Sequence, residues 1–309
     1  MSRMTRWLAC AALVSTWTIV GRAIPNGVPD GNQHPYVGEL LFYIPDEIDT
    51  RFTDPGAWFS CSGTLVSPTV VVTAGHCSYA IGHDGESTIE GEGNGDGGND
   101  VWVNFSEAPD FAGFPASGPY IPDDNEQRYI DRAAFLNAHP TWIRGTAYSH
   151  PEFASGPFYL HDVGVIVLDA PVARATYGRL PALGYLDRYF ATRRNEQRFT
   201  PVGYGLTRVL PIFTEGGDTR ERATVQLVTL AGQGVPYGTV AIFTNNQGKT
   251  HQGGTCFGDS GGPVFDGTTN LITSIVSFGI SPNCTGFDGA YRIDQADDLA
   301  FLARFGVTQ

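Results

Sequence analysis

Ser260 stands in the run Gly253-Gly254-Thr255-Cys256-Phe257-Gly258-Asp259-Ser260-Gly261-Gly262-Pro263-Val264, with an acid directly before it and a cysteine four residues before it. A serine hydroxyl is a weak nucleophile near neutral pH unless a base takes its proton. Glycines beside it let backbone N–H groups turn toward one point, where they can hold a developing oxyanion. The run therefore predicts a base elsewhere in the chain. On this stretch alone, the alternative is a glycine-rich turn carrying a solvated serine.

Two upstream runs supply partners. Val70-Val71-Val72-Thr73-Ala74-Gly75-His76-Cys77 is an apolar strand that breaks at a glycine and presents a histidine beside a cysteine. His161-Asp162-Val163-Gly164-Val165-Ile166-Val167-Leu168 puts an acid at the head of a β-branched run. An acid opening a buried strand needs a fixed partner. The chain order His76, Asp162, Ser260 is one of three orders in which such triads occur on unrelated folds. The segments TAGHC, HDVGVIVLD and GDSGGPV resemble those of the trypsin/chymotrypsin-like serine peptidase family, and the resemblance covers most of the chain from Ile24 onward.

That resemblance implies an all-β fold of two six-stranded antiparallel Greek-key barrels with a C-terminal helix. The N-terminal barrel is expected over about 24–185, the C-terminal barrel over about 195–293 and the helix over about 294–305. It implies a peptidase in which Ser260 attacks, His76 shuttles the proton and Asp162 orients the imidazole. The N–H groups of Gly258 and Ser260 would form the oxyanion hole, and Ser277, Phe278 and Gly279 would pair with substrate backbone. Basic-specific members carry an aspartate six residues before the serine, and here that position is Gly254. Gly279 and Gly289 match positions that keep the pocket open. The expected preference is thus for aromatic or large aliphatic side chains before the cut. Preference for Arg or Lys, through an acid reaching in from elsewhere, is the alternative, and a catalytically inactive binding homologue is a second. Ile24 and Asp259 match the activating pair, formed when a freed terminal amine folds inward. The competing reading is an ordinary surface terminus with Asp259 held by local N–H groups.

Composition fits a globular, exported chain. Its 309 residues can bury a sizeable core, and 39 glycines with little helical periodicity favour short strands and many turns. A net charge of −13 with Lys249 as the single lysine excludes a basic nucleic-acid footprint. Arg3 and Arg6 precede an apolar run over 7–20, and Gly21-Arg22-Ala23 supplies small residues for signal cleavage, so residues 1–23 read as a secretory leader. The run is short for a membrane span. We expect an extracellular monomer acting on protein or peptide substrates, open to protein protease inhibitors, with no nucleic-acid or membrane partner.

Of five cysteines, Cys10 lies in the leader, and the remaining four allow three pairings. The resemblance selects Cys61–Cys77 and Cys256–Cys284. No cofactor and no metal are expected. The acidic, glycine-rich run over 85–100 offers oxygen ligands, but its spacing is not that of an EF-hand, and it reads as a solvated loop. Strands are expected over 34–43, 59–66, 69–73, 101–105, 224–230 and 271–278. Residues 106–160 read as extended loops near the cleft, 191–198 as a solvated linker or strand edge, and Asp294 as the cap of the last helix. Asn104-Phe105-Ser106 and Asn283-Cys284-Thr285 fit the glycosylation pattern.

Overall fold

The computed structural model describes residues 24–45, 57–82, 98–115, 125–153, 156–157, 160–193, 198–210, 213–231, 237–246 and 252–309. The leader over 1–23 and most of the acidic loop, 83–97, lie outside the described residues. Among the described residues, no helix is long and apolar enough to cross a membrane.

The chain opens with β1 (Val28–Pro29) and then builds the first barrel. Its strands are β2 (Val37–Ile44), β3 (Ala57–Leu65), β4 (Val70–Thr73), β5 (Val101–Asn104), β6 (Trp142–Ser149) and β7 (Gly164–Leu168). They close in the order β2-β3-β4-β7-β6-β5, with β5 pairing back on β2. Every residue of β4 is buried, which explains its unbroken Val-Val-Val-Thr reading: both faces of this short strand meet protein.

The second half contains β8 (Phe199–Gly203), the hairpin β9 (Leu206–Leu210) and β10 (Phe213–Gly216), β11 (Glu221–Arg222), β12 (Leu227–Thr229), β13 (Val240–Asn245), β14 (Pro263–Asp266), β15 (Ile272–Gly279) and β16 (Gly286–Arg292). Apart from the β9–β10 hairpin, these strands and β1 form one eight-stranded sheet in the order β1-β11-β8-β14-β15-β16-β13-β12. It is a half-barrel: its edges are the two-residue β1 and the three-residue β12, and the two do not pair among the described residues.

Helices depart most from expectation. The segment 106–160 is not simply extended loop. It contains α1 (Asn125–Ala138) and the barrel strand β6. Leu136 of α1 is buried with Trp102 and Trp142 in a cluster separate from the main core, so this insertion packs on the barrel wall. The Trp102 indole donates to Asn137 Oδ1 at 2.8 Å. The expected linker over 191–198 begins as the end of α2 (Tyr185–Arg193). The last helix, α3 (Ala296–Ala303), buries Phe301 and Leu302 in the core that joins both halves. Asp294 does not cap it. Gln295 stands at the cap position, and the Asp294 carboxylate instead takes Arg292 and the Leu186 N–H.

Two polar junctions tie the halves together. The Ser62 hydroxyl donates to Gly258 O at 2.9 Å and accepts from the Tyr204 N–H at 3.0 Å. Arg220 is fully buried, pairs with Asp30 at 3.1 Å and donates to Val37 O, Phe105 O and the Tyr204 hydroxyl. A buried guanidinium is tolerated because its donors find acceptors. Asn104 is also fully buried: its amide donates to Thr141 Oγ1 and its oxygen accepts from the Ser106 N–H. A glycan there would displace both bonds, whereas Asn283 is exposed.

Candidate active site

His76 lies in a short 3-10 turn, Gly75–Cys77, directly after β4. Gly75 is required for packing, since a Cβ there would stand 2.7 Å from the Phe153 ring and 3.2 Å from the Val163 nitrogen. The Cys61–Cys77 disulfide fixes the far side of the turn to β3. Asp162 is presented by a three-residue turn in which the Val163 N–H donates to His161 O at 2.7 Å, with His161 at φ 52°.

The structure brings His76 and Asp162 into direct contact. Asp162 is fully buried. Its Oδ2 lies 2.9 Å from His76 Nδ1, and its Oδ1 lies 3.1 Å from the same nitrogen and accepts the His76 backbone N–H at 2.9 Å. Ser277 donates its hydroxyl to Oδ2 at 2.5 Å. Three donors thus converge on one buried carboxylate and fix its orientation toward the imidazole. Burial alone would push the imidazole down, but the charge and hydrogen bonding of Asp162 outweigh it and hold His76 above its ordinary 6.5.

Ser260 is carried to the same face by the second half. The Ser62 N–H donates to Ser260 O at 2.7 Å, and the Gly261 N–H donates to Val276 O. Gly261, at φ +78°, lies so close to β4 that a Cβ would stand 2.0 Å from Thr73 Oγ1. Among the described residues, the Ser260 hydroxyl makes no hydrogen bond to His76; such contacts commonly tighten only when substrate arrives. Gly258 adopts φ +97°, and neither its N–H nor that of Ser260 donates to an acceptor among the described residues. Two unspent N–H groups two positions apart are available to hold an oxyanion.

Asp259 points the other way. It is fully buried, its Oδ1 accepts from the Gly205 N–H and its Oδ2 from the Cys256 N–H. Burial raises this carboxyl to about 7 against the opposing pull of those two donors. Ile24 is also fully buried, and here it is still joined to residue 23, so its nitrogen is an amide rather than a free amine.

Beside Ser260 is a cavity of about 270 Å³, walled by Cys256, Val276, Ser277, Phe278, Gly279 and Cys284 among others. The Cys256–Cys284 disulfide braces it. A Cβ on Gly279 would meet only Ser281 O, at 3.7 Å, so this wall is open. Gly254 differs: a Cβ there would stand 2.2 Å from Asn245, which leaves no room for an acid. Gly289 is not placed as expected. It pairs with Phe278, and its missing side chain makes room for the Phe278 ring, 2.2 Å from a Cβ built there. The residue opposite Gly279 is Asp288.

Two groups of described side chains gather three or more metal-ligand atoms. In one, Cys61 and Cys77 are consumed by their disulfide. In the other, the His150 and His161 rings stack at 4.8 Å and 14°, so their in-plane lone pairs do not converge. Asp298 there accepts from the Tyr291 hydroxyl.

The family model described as Trypsin matches residues 140–298, just over half of the chain. The chain belongs to the trypsin family. The match includes Asp162 and Ser260, while His76 precedes it. A solved structure titled as HL collagenase superposes with a TM-score of 0.60 at 18% identity, covering 93% of this chain and all of that one. At that identity the likeness is one of fold, and the fold is chymotrypsin-like. No curated protein matches the chain. This trypsin-family member is a serine-type endopeptidase.

Proposed function

We propose that this peptidase cleaves through His76, Asp162 and Ser260 by way of an acyl-enzyme. The observation that carries the reading is the buried Asp162 carboxylate gripping His76 Nδ1, on the face where Ser260 lines a cavity. Ser260 Oγ attacks the peptide carbonyl as its proton passes to His76 Nε2. Asp162 keeps the other ring nitrogen protonated and stabilises the imidazolium. The carbonyl oxygen, now carrying the charge, takes the N–H groups of Gly258 and Ser260; losing one such donor costs roughly 3–4 kcal/mol of barrier. His76 then protonates the leaving amine. Water, deprotonated by His76, attacks the acyl carbon and releases Ser260 with its proton restored.

Substrate backbone would add as a strand along Ser277–Gly279. β14 leaves β15 after Ile275, which frees that edge of the strand toward the cleft. The cavity walls are largely apolar and its rim carries exposed Phe257, which suits an aromatic or large aliphatic side chain before the cut. Residues 1–23 would act as a secretory leader and 24–309 as the exported domain. Cleavage after Ala23 would free Ile24 to pair with Asp259.

The test compares the chain starting at Ile24 with its Ser260→Ala variant. Labelling by a fluorophosphonate and cleavage of short peptides are expected in the first and absent in the second. Equal cleavage by both would rule out Ser260 as the nucleophile.

A further inference from the structure

Asp162 is held at two ends. Its carboxylate is gripped at the tip by His76 and Ser277. Its root is set by the backbone of the residue before it, His161, which has φ 52°. A left-handed conformation is disfavoured for a residue with a Cβ, and it persists only where the surroundings hold it. Downstream the turn is tied by backbone bonds: the Val163 N–H donates to His161 O at 2.7 Å, and Val163 O accepts the His150 N–H at 3.0 Å. Upstream the anchor is the His161 side chain.

That ring is confined by three groups. Its Nε2 lies 3.3 Å from Glu152 Oε2, and its Nδ1 lies 3.2 Å from Asp297 Oδ2. The Asp297 contact is close but not aligned as a hydrogen bond. The face of the ring stacks on His150 at 4.8 Å and 14°. His150 is itself fixed: its Nδ1 accepts the Glu152 N–H at 3.2 Å, and its ring meets Phe301 edge-on at 5.3 Å. Burial and the neighbouring His161 hold His150 below its ordinary 6.5, so the stack need not carry two charges. Neutral or charged, the His161 ring has an N–H for at least one of the two carboxylates. Glu152 follows β6, and Asp297 stands in the first turn of α3, so the ring joins two separate elements to the turn that presents Asp162.

We propose that His161 is a positioning residue for the reaction: wedged between Glu152 and Asp297 and stacked on His150, its ring holds residue 161 in the left-handed conformation that turns Asp162 toward His76. The proposal rests on the triad reading above and adds to it a side chain that touches none of the reacting atoms. Histidine suits the position in two ways. It is among the non-glycine residues enriched at positive φ, and its flat ring can stack while offering a nitrogen toward each flanking carboxylate. Both carboxylates are partly exposed, Glu152 at 64% and Asp297 at 48%, so each contact is weak by itself and the ring is held by their sum with the stack.

The experiment uses the chain starting at Ile24 and compares His161→Ala with His161→Gly, on whichever of three short peptides, with Phe, Leu or Arg before the cut, the unaltered chain cleaves fastest. Alanine removes the ring and keeps the backbone penalty; glycine removes both together. His161→Ala is expected to lower kcat about tenfold with KM within about twofold, the scale of the left-handed penalty that the ring no longer offsets. His161→Gly should recover most of that loss. In the Ser260→Ala background, His76 should titrate lower with His161→Ala than without it, because Asp162 is no longer aimed at Nδ1. A role limited to holding α3 would lower the thermal midpoint and leave kcat and the His76 titration unchanged, and that result overturns the proposal. A glycine variant as slow as the alanine variant also overturns it. Should His161→Ala fail to fold, Glu152→Gln combined with Asp297→Asn loosens the ring from its exposed side: kcat and the His76 titration should fall together, and no change in either overturns the proposal. A chain that cleaves none of the peptides, or cleaves equally well as Ser260→Ala, fails the triad reading, and the role of His161 falls with it.

Discussion

Ser277 donates to the same oxygen of Asp162 that faces His76 Nδ1, with the hydroxyl at 2.5 Å and the imidazole at 2.9 Å. The carboxylate is thus gripped from both halves of the molecule, since His76 follows β4 and Ser277 lies on β15. Replacing Asp162 by Asn should lower kcat by about 10⁴ with little change in KM, because the amide favours the wrong imidazole tautomer. Ser277→Ala should cost far less, about tenfold. It should also raise the pKa of His76, since Asp162 loses a competing donor. A fall in KM affinity without these changes would place Ser277 in substrate binding alone.

The pH profile follows from the same contacts. Asp162 holds His76 above 6.5, and only the neutral imidazole can take the Ser260 proton. The acid limb of kcat/KM should therefore lie above pH 6.5. A raised folded-state pKa also means that this pair stabilises the fold fully below 6.5, and that its contribution is lost as pH rises through the folded value. Imidazole titration by NMR in Ser260→Ala gives the value directly. Adding Asp162→Asn leaves burial as the main influence, so the titration should move below 6.5; no movement would mean that another group sets it.

How much of this was legible depended on the range of the contact. His76, Asp162 and Ser260 sit in short runs whose glycines and apolar strands are local signals. α1 was hidden because Ile130, an apolar residue of the helix, is 47% exposed, and because Pro122 and Pro140 stand close to its ends. The role of Ser277 toward Asp162 spans 115 residues and has no local signature. The pocket shows the sharpest limit. Gly289 was expected beside the cavity, but the register of β16 on β15 sets it against Phe278, and a shift of one residue would exchange its face with that of Asp288.

Asp259 makes stability depend on what precedes Ile24. With residue 23 attached, burial holds the carboxyl at about 7, far above its ordinary 3.8. The folded chain then binds a proton that the unfolded chain has released, so stability falls as pH rises between about 4 and 7. The loss from this group is on the order of 4 kcal/mol. Asp288, raised to about 6, adds a fall of the same sign over a narrower window. A freed Ile24 amine that pairs with Asp259 should remove most of the Asp259 contribution, because the ion pair favours the carboxylate. Thermal midpoints from pH 4.5 to 8 for the two chains should diverge toward high pH. Parallel curves would show that Ile24 and Asp259 do not pair.

Gly261 tests whether the contact between the halves is as tight as it looks. Its φ of +78° already disfavours any side chain, and an added methyl would meet Thr73 Oγ1 at 2.0 Å and Ser62 O at 2.4 Å. Both are anchored: the Thr73 hydroxyl donates to that same Ser62 oxygen at 2.9 Å. Gly261→Ala should therefore destabilise by more than about 3 kcal/mol, combining backbone strain with overpacking. Gly286 is the matched control. It has φ +91° but nothing within 4 Å of the added carbon, so Gly286→Ala should cost only the backbone term, about 1–2 kcal/mol. Urea unfolding of both variants separates the two costs. Equal losses would mean that the sheet and β4 move apart readily, and Ser260 would then not be held against His76 by packing at Gly261.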